Sequence, residues 1–564
     1  MKIQNKHKKY FKENHIFTDF SDTPFSHSSQ QKAKSQAKTH QNLGQKKLHL
    51  ISLGCTKNLV DSEVMLGRLS ELTLSDEVGE ADVIIVNTCG FIHSAKQESI
   101  GEILRVAGEK KEGAILVVSG CLSERYAKEL ESDMPEIDII IGVRDYDKID
   151  SLLAKKGFFG AVPRLPNPPT LANPTKVSPT NATNSTSHAK STNPSSIQST
   201  SSTQNQLSQT LSQPPQKSTT KINASQLPTN PPSQNLGKNL ASQDEVFLSD
   251  EHSKRVISNS AIHAYIKLSE GCNQSCSFCS IPSFKGRLRS RSIASVLAEV
   301  ENLAQKGYKD FSFIAQDSSS YLLDFGVRDG LVALIKALDS SGVAKSSRIH
   351  YLYPTTTSHK LIEAIASSPS VQNYFDMPIQ HIDEKMLKLM KRGAGEKKLR
   401  EMLNLMRSLP NAFLRSTIII GHPCEGEEEF GKLADFLGEG IFDRLNLFAF
   451  SSEEGTLAHT MSPKVPTKVV NARLNKLNKI LKSQDKIRYR ALKGVQIPVI
   501  VEGRASISEH FYSARDIRWG LEIDGEILIN DSEVEDISAG YYEAKITEYK
   551  NGLLFGKILS KLKS

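Results

Sequence analysis

No run of this 564-residue chain approaches the roughly 20 consecutive apolar residues that cross a bilayer, so a membrane-spanning helix is not expected. The basic stretch Met1 to Lys12 is followed by no apolar core and no small-residue cleavage site, which argues against a secretory signal. Both absences predict a cytoplasmic protein with no membrane partner. Cysteine is scarce, seven in the whole chain and widely spread. In a reducing compartment such cysteines are poor disulfide partners and better metal ligands or catalytic thiols. Aromatic residues are absent between Phe159 and Phe247, where Ser, Thr, Asn, Gln and Pro dominate. Such a segment buries too little apolar surface to offset its ordering entropy, and residues 160–258 are expected to be a disordered insertion.

Charge is uneven as well. Of the formal net +8, a balance of +7 sits in residues 1–47, with ten Lys against three Asp or Glu. That stretch is expected to be a disordered basic tail, the alternative being an arm that touches ribosomal RNA. Residues 491–564 run the other way, with nine Lys or Arg and twelve Asp or Glu. Acidic residues gather at Glu522, Asp524 and Glu526, and again at Asp531, Glu533, Glu535 and Asp536. That balance suits a basic protein partner better than a phosphate backbone.

The remaining sequence reads as an α/β protein in three parts. Over 48–159, apolar strands at Leu48 to Leu53, Val83 to Val86, Ile115 to Val118 and Asp138 to Ile141 alternate with helical spacing, which predicts a small doubly wound parallel sheet. Over 259–490, six strands begin near His263, Asp310, Arg348, Tyr374, Leu414 and Arg444 and alternate with helices, predicting a partial (βα)6 barrel that ends in a long helix from Lys468 to Arg490. Over 491–564, short strands at Val495 to Val501, Gly520 to Ile523, Glu526 to Ile529 and Tyr541 to Thr547 predict a small antiparallel β-barrel.

The cysteines carry the chemistry. Cys272, Cys276 and Cys279 form a Cys-x3-Cys-x2-Cys array directly after the first barrel strand. Three thiolates within eight residues can hold three corners of a 4Fe-4S cubane, leaving one iron open for the amino and carboxylate groups of S-adenosylmethionine (SAM). A zinc knuckle would want a fourth Cys or His, and none lies nearby. This is the pattern of a radical SAM enzyme. Cys55, Cys89 and Cys121 are far apart in sequence, yet each follows a strand of the first sheet. The carboxyl ends of parallel strands converge on one crevice, so these three are expected to hold a second, auxiliary 4Fe-4S cluster. Cys424, in Gly421-His422-Pro423-Cys424-Glu425-Gly426, reads as a loop thiol without a role. Gln316 and Gln380, at strand ends on the barrel mouth, are the candidate SAM contacts; Asp317, Asp376 and His381 share that address.

A family resemblance covers nearly all the ordered chain. Ser52-Leu53-Gly54-Cys55-Thr56-Lys57-Asn58, Asn87-Thr88-Cys89-Gly90, Asp376-Met377-Pro378-Ile379-Gln380-His381 and Met390-Lys391-Arg392-Gly393 resemble the RimO methylthiotransferases. The related transfer RNA enzymes usually read Gln-Met-Asn where Thr56-Lys57-Asn58 stands. The last domain resembles TRAM. The resemblance implies radical SAM methylthiolation of the β-carbon of an aspartate in ribosomal protein S-twelve, free or in the small subunit. It also implies a flavodoxin or ferredoxin as electron donor. Two departures stand out: the long insertion, and Cys424-Glu425-Gly426 where the family usually has Gly-Glu-Thr. The competing readings are a transfer RNA adenosine methylthiotransferase and a non-catalytic iron-sulfur protein that binds RNA.

Overall fold

The computed structural model describes residues 46–159 and 246–563. The tail expected over 1–47 and the insertion expected over 160–258 lie outside the described residues except at their inner ends. No helix among the described residues is long and apolar enough to cross a membrane.

The first sheet is parallel: β1 (Lys47–Ser52), β2 (Thr73–Leu74), β3 (Val83–Thr88), β4 (Ile115–Gly120) and β5 (Ile139–Ile141), ordered β2-β1-β3-β4-β5. Every residue of β3 is buried, as expected of a strand covered on both faces. Ile84 and Val86 pack on Ile103 and Val106 of the helix His93–Glu109. In this strand order the chain reverses direction of winding between β1 and β3, which opens a ligand crevice at their carboxyl ends.

The second sheet is an open half-barrel of six parallel strands: β6 (His263–Lys267), β9 (Asp310–Ile314), β10 (Ser346–Ile349), β11 (Val371–Asp376), β12 (Phe413–Ile420) and β13 (Arg444–Ala449), in that spatial order. A short antiparallel ribbon, β7 (Ser269–Glu270) with β8 (Arg289–Ser290), brackets the cysteine array. Outward-facing Ile266, Phe313, Ile349, Phe375 and Ile418 join the helices in the largest apolar core. The inward face is polar, and the last domain plugs it. Buried Asp310 accepts from both Arg348 nitrogens at 2.8 and 2.9 Å and from Arg515 Nη2 at 2.6 Å. Arg415 joins Asp376 (3.0 Å) to Asp524 (3.2 Å), and Tyr265 Oη donates to the Leu521 carbonyl at 3.1 Å. Asp524 is therefore buried in a domain contact, and the acidic surface of the last domain is smaller than the sequence suggests.

That domain is a closed five-stranded barrel: β14 (Gln496–Arg504), β15 (Tyr512–Asp516), β16 (Ile527–Ser532), β17 (Gly540–Lys550) and β18 (Leu553–Lys561). The pairings are antiparallel except β16 with β18, which closes the barrel in parallel. Gly520 to Ile523, expected as a strand, is a turn, and the strand lies earlier at β15. β15 escapes an apolar pattern because Arg515 and Asp516 are buried in it as partners of charges.

Residues 246–258, assigned above to the disordered insertion, are instead a packed strap. The Arg255 side chain is buried between Glu63 (2.6 Å) and Glu299, and the Val256 amide donates to the Glu63 carbonyl. Gly67 lies so close that an added Cβ would sit 2.2 Å from the Lys254 carbonyl oxygen. The strap escapes a reading by composition because its few apolar contacts, Val246, Phe247 and Ile257, are supplemented by ion pairing.

Candidate active site

Cys55 precedes the helix Thr56–Arg68 at the end of β1, Cys89 follows β3, and Cys121 opens the helix Cys121–Arg125 after β4. Glycine makes the convergence possible. A Cβ on Gly54, at φ +87°, would sit 2.7 Å from Cys89 Cβ, and one on Gly90 would meet the Cys121 backbone at 2.9 Å. Asn58 ties the loops: its Nδ2 donates to the Leu53 and Thr88 carbonyls (3.1 and 3.0 Å), while its Oδ1 lies 3.7 Å from Cys121 Sγ. Asn87 Nδ2 in turn donates to the Asn58 carbonyl at 2.9 Å.

Among the described residues no three His, Cys, Asp or Glu side chains converge on a single metal ion. Burial, reinforced by the Cys55 and Cys121 thiols, pushes Cys89 up to about 12. Burial also raises Cys121 to about 11, against the pull of Lys285. Such thiols stay protonated alone and need a metal's positive charge to ionise.

The second array sits on the loop 271–280, under equally tight backbone control. A Cβ on Gly271, at φ +77°, would lie 2.0 Å from the Arg287 carbonyl oxygen, and the Cys272 amide donates to the Gly286 carbonyl. Arg392 Nη1 reaches Cys276 Sγ at 3.3 Å while its guanidinium lies 4.1 Å over the Tyr353 ring, whose hydroxyl is 3.5 Å from the same sulfur. Burial raises Cys272 to about 11 and Cys279 to about 12. Ser277, inside the array, is fixed by Met390 through its amide and by His422 Nε2 at 3.2 Å.

The two cysteine sets adjoin elements that touch. The helix Ile281–Lys285, two residues past Cys279, packs on the helix that Cys121 begins. Between them lies a buried ionic group: Lys267 Nζ is 2.5 Å from Asp61 and 2.6 Å from Glu270, with Lys285 Nζ 3.8 and 3.6 Å from the same two acids. Burial opposes the Glu270 charge, but Lys267 and Lys285 outweigh it and hold its pKa at about 2. Asp61 belongs to the motif that opens at Ser52, but nothing in the sequence marks Lys267 and Lys285 as its partners.

The strand-end polar residues divide in two. Asp317 caps the turn Ser318–Ser320 and accepts from Gln274 Nε2 at 2.8 Å, and Asp376 is held by Arg415. Burial lowers His381 to about 4, and its Nδ1 accepts from the Asp383 amide. Asp317 and Asp376 are thus occupied, whereas His381 Nε2 is buried without a hydrogen-bond partner. Gln316 donates to Glu270 at 2.7 Å, and its buried Oε1 has no partner. Gln380, in a left-handed conformation at φ +70°, likewise buries an unpartnered Oε1. Unpaired buried acceptors at the mouth suit a ligand bearing an ammonium group.

Cys424 Sγ donates to the Ser462 carbonyl at 3.1 Å; His422, not Cys424, is the residue of that loop that braces the cysteine array. Cys424 adopts φ +69°, a conformation that a glycine takes without strain. Cys424→Gly is expected to stabilise the protein by about 1 kcal/mol, the sulfur's hydrogen bond being weak. An unchanged or lower urea midpoint would contradict it.

Two family models match: the uncharacterized protein family UPF0004 over residues 47–142 and the radical SAM superfamily over 266–437. The chain is 49% identical over 522 residues to the ribosomal protein uS12 methylthiotransferase RimO of Helicobacter hepaticus, spanning 91% of this chain and 98% of that protein. The RimO of Wolinella succinogenes is 50% identical over 89% of this chain and 96% of its own length, and that of Helicobacter pylori strain 26695 is 47% identical over 91% and 98%. Among solved structures, the radical SAM methyltransferase TsrM of Kitasatospora setae overlays with a TM-score of 0.42 at 13% identity, covering 72% of this chain and 75% of that one.

Proposed function

The chain belongs to the RimO family of ribosomal protein uS12 methylthiotransferases, and we propose that it replaces a hydrogen on the β-carbon of a uS12 aspartate with a methylthio group. The observation that carries the proposal is that two sets of three cysteines, Cys272, Cys276 and Cys279 on one loop and Cys55, Cys89 and Cys121 at three strand ends, adjoin helices in contact. An unactivated carbon-hydrogen bond has no useful acidity, so no general base in the site can open it. When bound, 4Fe-4S clusters at these two sets supply an electron for reductive cleavage of SAM on one side and a sulfur centre on the other.

The chain's own residues position these events. Arg392 and Tyr353 set the Cys276 sulfur, His422 and Met390 fix the loop through Ser277, and Gln316 and Gln380 offer acceptors to SAM. Asp61 and Glu270 stand as partners to Lys267 and Lys285, with burial raising the Asp61 carboxyl and the two lysines lowering that of Glu270. A flavodoxin or ferredoxin is the electron donor this chemistry calls for. After anaerobic reconstitution the protein is expected to bind about eight irons and to release deoxyadenosine from SAM faster when uS12 is present. Binding of about four irons, or no deoxyadenosine, would overturn the two-cluster reading.

A further inference from the structure

The helix Thr467–Ala491 carries eight Lys or Arg and one acid, Asp485. Its inward cations are paired: Arg473 with Glu425 (2.7 Å) and Glu427 (2.6 Å), and Arg488 with Asp485 (3.0 Å) and Asp443 (3.6 Å). Its outward ones are not. Lys468, Lys479, Lys482, Lys486 and Arg490, continued by Lys493, are exposed and have no acidic partner among the described residues. From Lys479 to Lys493 the cations recur every three or four residues, which puts them on one face. An ordinary solvated helix face alternates signs, because like charges at this spacing repel. Over the whole helix the cations extend along about 37 Å.

The position of this stripe is as telling as its charge. At the first end of the helix, Val470 packs against Gly421, the neighbour of His422, so the helix starts near the loop that braces the cysteine array, and the row of cations begins at Lys479, nine residues further on. At its far end Tyr489 packs on Trp519 and Tyr549 of the last barrel. That barrel exposes Asp531, Glu533, Glu535 and Asp536, a surface that repels a polyanion. A basic substrate protein would in turn be repelled by the stripe.

We propose that the outward face of Thr467–Ala491 docks on the phosphate backbone of an RNA duplex, so that the substrate protein is modified where RNA flanks it, in the small ribosomal subunit. The claim about substrate form rests on the uS12 reading above; the claim about RNA binding does not. A duplex presents one phosphate charge per roughly 1.7 Å of axis, so a row of unpaired cations has several within reach at once.

The test uses the reconstituted full-length enzyme, a short RNA duplex of arbitrary sequence, and the triple variant Lys479→Glu, Lys482→Glu, Lys486→Glu. The wild type is expected to bind the duplex with an affinity that falls steeply with salt, and the variant to bind about tenfold or more weakly with a shallower slope. Uncoupled SAM cleavage and the urea midpoint should be unchanged, which establishes that the variant folds. Methylthiolation of small subunits should fall while that of isolated uS12 does not. Equal duplex affinity and slope in the two proteins would overturn the proposal. An equal loss on isolated uS12 and on subunits would overturn it in favour of a protein contact. If the wild type modifies neither substrate but binds the duplex as described, the uS12 reading falls and the RNA surface stands.

Discussion

Replacement of Cys272 by Ala abolishes the conversion of SAM to deoxyadenosine, whereas replacement of Cys89 by Ala leaves measurable conversion and removes the methylthiolated product. The asymmetry follows from the separate duties of the two cysteine sets. Cys272 lies in the loop whose amide and sulfur contacts hold the radical SAM array, and no thiol replaces it: Cys424, the seventh cysteine, bonds the Ser462 carbonyl instead. Cys89 belongs to the other set, at the end of β3. Each variant should keep about four irons, because the remaining set is intact. Deoxyadenosine assay, product mass and iron content read the three outcomes separately. Wild-type SAM cleavage by both variants would show that the cluster assignment is wrong.

Replacement of Asp310 by Asn is expected to cost about 3–5 kcal/mol, because it leaves Arg348 buried without a counter-charge and Arg515 with Glu502 alone. All three side chains are almost fully buried, so solvent screens little of the loss. Burial opposes the Asp310 charge, yet the two guanidiniums hold its carboxyl well below the usual range. Asp376 behaves alike: burial opposes its charge, and Arg415 and His350 prevail, holding it at about 2. A carboxylate with a depressed folded pKa contributes stability that is complete above the unfolded value of about 4 and lost as pH falls toward the folded one. The fold should therefore weaken between about pH 4 and pH 2, with the last barrel leaving first. Urea unfolding of Asp310→Asn, with limited proteolysis across that pH range, reads both effects. A loss under about 1 kcal/mol would mean that water reaches the arginines.

What was legible in the sequence follows the physics of each element. The apolar runs at β3 and β4 are legible because parallel strands covered on both faces are apolar throughout, and the half-barrel strands because the face of each that packs on the helices is apolar. The placement of Cys55, Cys89 and Cys121 is legible because strand ends of a parallel sheet share one edge, and that of Cys272, Cys276 and Cys279 because they are close in sequence. β15 was not, since Arg515 and Asp516 are buried by pairing rather than by apolarity. The strap 246–258 was hidden in part for the same reason, its polar fastening being Arg255 between Glu63 and Glu299. Asp61, Lys267 and Lys285 meet only in three dimensions. Asp524, which reads as surface charge, is spent on docking the last domain through Arg415.

Substrate choice is the claim that most needs a direct measurement. The reconstituted enzyme, with SAM and reductant, is offered small ribosomal subunits and unmodified transfer RNA in one reaction, and both are analysed by mass spectrometry. The account predicts a gain of about 46 mass units, a methylthio group replacing hydrogen, on one aspartate of uS12, with the RNA unchanged. The same gain on an adenosine of the transfer RNA, with uS12 unmodified, would contradict it.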